Sequence, residues 1–168
     1  LTDLVAPQKS WRALDIATGA GHTAAAFAPL VAEVIASDIT PEMLEEARKL
    51  ADAKGLSNMS TATVDAEAMP YPDASFDLVT CFETLEHVEN PEQLLEELAR
   101  VCRRDGRVFV SIPWVPRTFI HPRKPDQPRG HEHIIEFCRD DFVALVSHTP
   151  LEVAGEAVCE MLGEPHTP

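Results

Sequence analysis

Short apolar runs alternate with amphipathic helical patterns along most of this chain, and that alternation restricts the fold more than any other feature. The apolar runs cover residues 13–16, 34–37, 61–64, 76–82 and 108–112. Helical patterns at residues 23–30, 40–55, 90–102 and 139–146 lie among and after them. Parallel strands need long crossovers, and a helix supplies one. The expected fold is therefore α/β: a doubly wound, mostly parallel sheet with helices on both faces. The clearest helix begins with Thr40 as cap and Pro41 at the first helical position, and Gly55 stops it. Leu44, Ala47, Leu50 and Ala51 form its apolar stripe. Asn90 and Pro91 start a later helix in the same way, with Leu94, Leu95, Leu98, Val101 and Cys102 facing the core. Asp105-Gly106 predicts a turn before the run at 108–112, and residues 151–158 predict a sixth strand. Residues 113–133 are rich in Pro, His and Arg and have no period, which predicts a functional loop or lid.

The length of 168 residues suits one domain, residues 1–168. The first residue is Leu rather than Met, so a partial or trimmed chain is expected. The net charge of −14 disfavours nucleic acid as the main partner, because phosphate backbones reward clustered cations. Arg103-Arg104 and the group Arg117, Arg123, Lys124 and Arg129 are the notable basic clusters. No apolar run is long enough to cross a bilayer, and no secretory leader pattern opens the chain. Cysteines at 81, 102, 138 and 159 form no CxxC pair and read as reduced thiols. A cytoplasmic monomer or homodimer is expected, without membrane contact. Cys138 stands where a helix cap belongs and reads as a poor cap rather than a nucleophile.

The stretch "LDIATGAGHTA" at residues 14–24 joins a strand, a glycine turn and a helix start. Such a turn lets backbone approach a ligand, with free N–H groups facing it. Gly19, Gly21 and Ala24 fit the spacing of dinucleotide-binding turns. Asp15, at the strand end, would repel a pyrophosphate and would suit an ammonium group. Asp38 ends the second apolar run about twenty residues after the glycines, where a ribose diol is read. Asp65, in "TVDAEAMPYP", is placed to accept from an exocyclic amine. A ligand with an ammonium, a ribose and an adenine but no phosphate is S-adenosylmethionine (SAM).

"LDIATGAGHTA", "VIASDITPEML", "DAEAMPYPDASFDLV" and "VCRRDGRVFVSIP" resemble the successive motifs of class I SAM-dependent methyltransferases. They are most similar to the small-molecule group that includes the quinone-biosynthesis methyltransferases. The resemblance runs from about residue 12 to about residue 146. It implies a Rossmann-like methyltransferase fold, SAM as methyl donor and S-adenosylhomocysteine as product. It implies that Asp15 and the backbone of Ala17, Gly19 and Gly21 hold the methionine part. Asp38 would bind the ribose hydroxyls, with Ile39 and Met43 near the adenine. Asp65 would meet the adenine amine, Ala66 would add a backbone N–H, and Cys81 and Phe82 would line the cofactor. The resemblance also calls for a helix before the first strand and a seventh strand at the end. Neither pattern is evident, so a form trimmed at both ends is expected, with the substrate pocket most affected.

Methyl transfer from a sulfonium is an in-line displacement that depends above all on alignment. A general base is needed when the acceptor must lose a proton. In "CFETLEHV", Glu83, Glu86 and His87 fall at i, i+3 and i+4, one face if the stretch is helical. Two carboxylates and an imidazole suit a divalent metal, with His131 or His133 as a further ligand. That pattern resembles the metal site of methyltransferases acting on the 3′ ends of small RNAs, where a metal would grip a vicinal diol. Without a metal, His87, His133 and Glu83 are candidates for catalysis or substrate contact. Trp114, Phe119 and His121 offer flat faces to a substrate, and His22 sits in the glycine turn. The expected reaction is methyl transfer to an O or N (also C) atom of a small molecule. The competing readings are a non-catalytic SAM-binding domain, a metal-assisted enzyme acting on a diol, and an NAD-dependent oxidoreductase. Asp15 and Asp65 count against the last.

Overall fold

The computed structural model describes residues 5–113, 135 and 137–155. Its strands are β1 (Arg12–Ile16), β2 (Glu33–Asp38), β3 (Met59–Thr63), β4 (Phe76–Phe82) and β5 (Cys102–Ser111). Its helices are α1 (His22–Phe27), α2 (Pro41–Lys54), α3 (Pro91–Val101) and α4 (Arg139–Ser147). The strands form one sheet in the order β3-β2-β1-β4-β5, and every pairing is parallel. The expected α/β class and doubly wound sheet are what the chain forms.

Both faces of the sheet are covered. Leu14, Ile16, Val79 and Cys81 pack with Leu94, Leu95, Leu98 and Val101 of α3. Ala13, Val34, Ala36 and Leu78 pack on the opposite face with Ala24 and Phe27 of α1. Strands buried on both sides need apolar residues at successive positions, which is why they read as unbroken runs. Strand order reverses at β1, which pairs with β2 on one side and β4 on the other. Loops leaving those strand ends diverge, and the crevice between them is where open α/β sheets place ligands.

Several elements differ from the sequence reading. Pro29 tightens the end of the first helix, so Ala28–Leu30 is a 3-10 turn rather than more of α1. β3 lies two residues earlier than expected at its start, because its register is set by β2, where Val34 pairs with Met59. The Asp105-Gly106 turn lies inside β5: Cys102 pairs with Phe76 and Arg107 with Leu78, so residues 103–106 bulge opposite Asp77 alone. Thr40 precedes α2 without a side-chain cap bond. Asn90 does cap α3, accepting from the Gln93 N–H at 3.2 Å. Residues 151–155 take no strand, and the rest of the expected sixth strand lies outside the described residues. Cys138 precedes α4, is buried, and its Sγ lies 2.9 Å from Asp141 Oδ2. Among the described residues, no helix is long and apolar enough to cross a membrane.

Candidate functional site

The loop after β1 carries three left-handed backbone positions in five residues: Ala17 at φ +52°, Gly19 at +54° and Gly21 at +81°. The Thr18 N–H donates to the Ser37 carbonyl at 2.8 Å, and the Gly21 N–H to the Thr18 carbonyl at 3.0 Å. The two glycines serve different ends. A Cβ on Gly21 would lie 2.8 Å from Ala47 Cβ and 2.9 Å from Met59 Cε, so Gly21 lets the turn pack against α2 and β3. A Cβ on Gly19 would have no atom within 4 Å, so Gly19 faces open space at the rim. Ala17 adopts its left-handed conformation with a Cβ present, at a cost of about 1 kcal/mol.

Asp15 does not face that open space. It is 2% exposed, and both carboxylate oxygens accept hydrogen bonds from inside the protein. Thr80 Oγ1 donates to Oδ1 at 2.5 Å; Thr18 Oγ1 and the Ala24 N–H donate to Oδ2 at 2.5 and 3.1 Å. Asp15 thus ties β4, the glycine turn and the start of α1 to the end of β1. Burial pushes its carboxyl up from the ordinary 3.8 to about 6, against these three hydrogen bonds, and nearby Asp38 adds to the rise. In the window from about pH 4 to about pH 6, the folded state holds a proton that the unfolded chain gives up. Stability therefore falls as pH rises through that window, by about 3 kcal/mol in all. Glu97, held below the ordinary carboxylate range by Arg100, loses its contribution only at lower pH. Urea unfolding across the window measures the slope. Asp15→Asn has nothing to titrate and is expected to flatten it; an unchanged slope assigns the effect elsewhere.

Asp38, 8% exposed at the end of β2, bridges the glycine turn and the start of α2. Its Oδ2 accepts from the Gly19 N–H and its Oδ1 from the Thr40 N–H, both at 2.9 Å. Two exposed apolar side chains follow it in the chain: Ile39, 66% exposed, is the next residue, and Met43, 38% exposed, is in the first turn of α2. Asp65 is exposed in the turn after β3, where Oδ1 accepts from the Glu67 N–H at 2.9 Å, with half-buried Ala66 beside it. His22 is exposed at the first position of α1.

At the end of β4, Cys81 is fully buried, and burial pushes its thiol up to about 12. Phe82 is half-buried and stacks on Phe109 at 5.3 Å. Glu83, Glu86 and His87 do not share a helical face. Glu83 is exposed with φ +47°, and only Leu85–His87 forms a 3-10 turn. Glu86 is 1% exposed, with Oε1 3.8 Å from His87 Nε2, while the His87 side chain is half in solvent. The left-handed backbone at Glu83 breaks the spacing on which the shared face depended. Among the described residues, no group of three or more His, Cys, Asp or Glu side chains is placed to hold a metal. His131, His133, Trp114, Phe119, His121, Arg117, Arg123, Lys124 and Arg129 lie outside the described residues.

Sequence reasoning missed Thr80, Ser37 and Ser111. Thr80 is 2% exposed and anchors Asp15; Ser37 is fully buried and donates to the Asp15 carbonyl at 3.0 Å. A hydroxyl inside an otherwise apolar strand, as in "DLVTCF", is the available signal, because a buried hydroxyl needs a partner.

Comparison with known proteins agrees with this architecture. A family model described as "Methyltransferase domain" matches residues 14–110. The chain is 43% identical over 143 residues to "Uncharacterized methyltransferase YcgJ" of Bacillus subtilis, covering 83% of this chain and 56% of that protein. The crystal structure of YcgJ superposes with a TM-score of 0.76 at 33% identity, over 87% of this chain and 64% of that one. A demethylmenaquinone methyltransferase of Clavibacter sepedonicus is 34% identical over 146 residues, 87% of this chain and 56% of its own length. This chain thus spans little more than half of the curated relatives it matches. Sequence motifs, sheet order and family match agree, and the chain belongs to the class I SAM-dependent methyltransferases, related to YcgJ and the menaquinone-biosynthesis methyltransferases.

Proposed function

We propose that this chain binds SAM at the rim of β1, β2 and β4 and transfers its methyl group to an O, N or C atom of a small molecule. The observation that carries the reading is the rim between Gly19 and Met43. Gly19 leaves open space in front of the turn, the Asp38 carboxylate binds the Gly19 N–H at its edge, and the exposed apolar residues Ile39 and Met43 follow Asp38 into the first turn of α2. A carboxylate flanked by uncovered apolar side chains suits a ribose diol carrying a flat base. SAM supplies a methyl group on a sulfonium, already activated for transfer.

In this reading Asp38 accepts from the ribose hydroxyls, and Ile39 and Met43 cover the adenine. Asp65, with one carboxylate oxygen given to the Glu67 N–H, meets the adenine amine alongside Ala66. Ala17 and Gly19 present backbone to the methionine part. Gly21 and Asp15 act one step back, through the turn they hold. Cys81 supports the strand end from the core, and Phe82 borders the site. We also infer that residues 1–168 form one domain. Demethylmenaquinone methyltransferases among the relatives favour a quinone-type ring acceptor.

The test is ligand-dependent stability, since a ligand that binds only the folded state raises its melting temperature. S-adenosylhomocysteine at about 100 times its Kd is expected to add about 2.7 kcal/mol, or roughly 5–10 °C in Tm. NAD is expected to add nothing. A shift with NAD alone overturns the SAM reading. Incubation with SAM and a small-molecule extract, read by mass spectrometry, then separates a transferase from a domain that only binds SAM.

A further inference from the structure

Glu83 holds a backbone conformation that its residue type does not favour. Four non-glycine residues have positive φ among the described residues; three are alanines, and the fourth is Glu83 at +47°. Such conformations persist where surrounding structure fixes them, and they gather at functional sites. β5 fixes this one. The Glu83 N–H donates to the Ser111 carbonyl at 3.1 Å, and Ser111 Oγ donates to Glu83 Oε1 at 2.6 Å. The other carboxylate oxygen, Oε2, accepts no hydrogen bond among the described residues, and the side chain is exposed. The placement matters as much as the geometry. Ile16 pairs with Cys81, so Glu83 leaves β4 on the same rim from which the glycine turn leaves adjacent β1. The carboxylate is therefore held by one oxygen on the β5 side of β4, and its other oxygen is left for a ligand at this rim.

We propose that Glu83 accepts the hydroxyl hydrogen of the methyl acceptor, that the acceptor is a phenol or enol, and that Ser111 is the positioning residue. This rests on the SAM reading above. A fixed carboxylate selects among acceptors. It holds an amine as its ammonium, which has no lone pair to methylate. It makes a hydroxyl more nucleophilic by taking its hydrogen, most effectively where the hydroxyl is acidic. As the acceptor reacts, its O–H bond breaks and the proton passes to Oε2 of Glu83. The electron pair left behind, on oxygen or on the conjugated ring carbon, forms the bond to the methyl carbon. The pair of the broken C–S bond leaves with the donor's sulfur. Where ring carbon attacks, that carbon then loses its own proton to water.

Thermal-shift titration of the full chain saturated with S-adenosylhomocysteine tests this without turnover. The probes are phenol, catechol, 1-naphthol and their methyl ethers. At least one phenol is expected to raise Tm further, with its methyl ether at least tenfold weaker. Glu83→Gln and Ser111→Ala are each expected to weaken that phenol at least tenfold while keeping the S-adenosylhomocysteine shift. Ser111→Thr, which keeps the hydroxyl, is expected to restore it; a purely structural serine would not discriminate in this way. The proposal is overturned if no phenol binds the wild type, if the methyl ether binds equally, or if Glu83→Gln binds the phenol as well as the wild type. Absence of the S-adenosylhomocysteine shift in the wild type instead overturns the SAM reading.

Discussion

Asp38→Ala is expected to weaken S-adenosylhomocysteine binding by two to three orders of magnitude and leave a folded protein. The carboxylate is nearly enclosed at the strand end, and its oxygens already collect the Gly19 and Thr40 N–H groups at 2.9 Å. Each oxygen keeps further acceptor capacity for a ribose hydroxyl. A hydrogen bond to a charged group contributes about 1.5–3 kcal/mol, so losing two at the lower end of that range costs roughly 3–4 kcal/mol, or about 10²–10³-fold in affinity. The folded state loses less. The two backbone N–H groups sit at the rim, where water can replace the carboxylate, and the expected cost is about 1–2 kcal/mol. Isothermal titration gives the affinity and urea unfolding gives the stability. An affinity within a factor of three of wild type would remove Asp38 from the ribose site. A large stability loss with unchanged affinity would leave it only its role as a brace between the turn and α2.

Much of the fold is legible in the sequence because both sheet faces are covered. β4 reads as "FDLVTCF", buried at nearly every position, and no alternating pattern competes with it. Helix limits are legible where the signal is local: Gly55 ends α2 at φ +65°, and the Asn90 side chain caps α3. What was not legible depends on distant pairings. The Asp105-Gly106 turn signal is genuine, yet strand pairing resumes on both sides of it, so it becomes a bulge within β5. Asp15 read as facing a ligand. Thr80, whose hydroxyl claims one of its oxygens, lies 65 residues away, and no local pattern announces that partner. Glu83, Glu86 and His87 have helical spacing, but the Glu83 backbone is fixed by Ser111, 28 residues away. Asp38 and its exposed neighbours fared better because their placement follows from one strand end and one helix start.

Alanine at Gly19 and at Gly21 is expected to separate ligand binding from folding. The backbone cost is shared, since both residues are left-handed, at φ +54° and +81°, and a Cβ there costs about 1–2 kcal/mol. Their surroundings differ. At Gly21 the new methyl meets Ala47 Cβ at 2.8 Å and Ala47 Cα at 3.1 Å, on a helix whose Leu44, Ala47 and Ala51 are buried. Backbone cannot swing aside as a flexible side-chain tip can, so α2 must shift. Overpacking adds about 1–3 kcal/mol, for a total of about 2–5 kcal/mol. At Gly19 the methyl meets no atom within 4 Å, and stability falls only by the backbone cost. The same open space is where the methionine part of SAM is proposed to lie. Gly19→Ala is therefore expected to abolish the S-adenosylhomocysteine shift in a protein that still unfolds cooperatively. Gly21→Ala is expected to lower Tm by roughly 10 °C, while whatever remains folded still binds. If Gly19→Ala binds normally, the ligand does not approach the turn from that side. If both variants lose stability equally and bind equally, the division of labour between the two glycines is wrong.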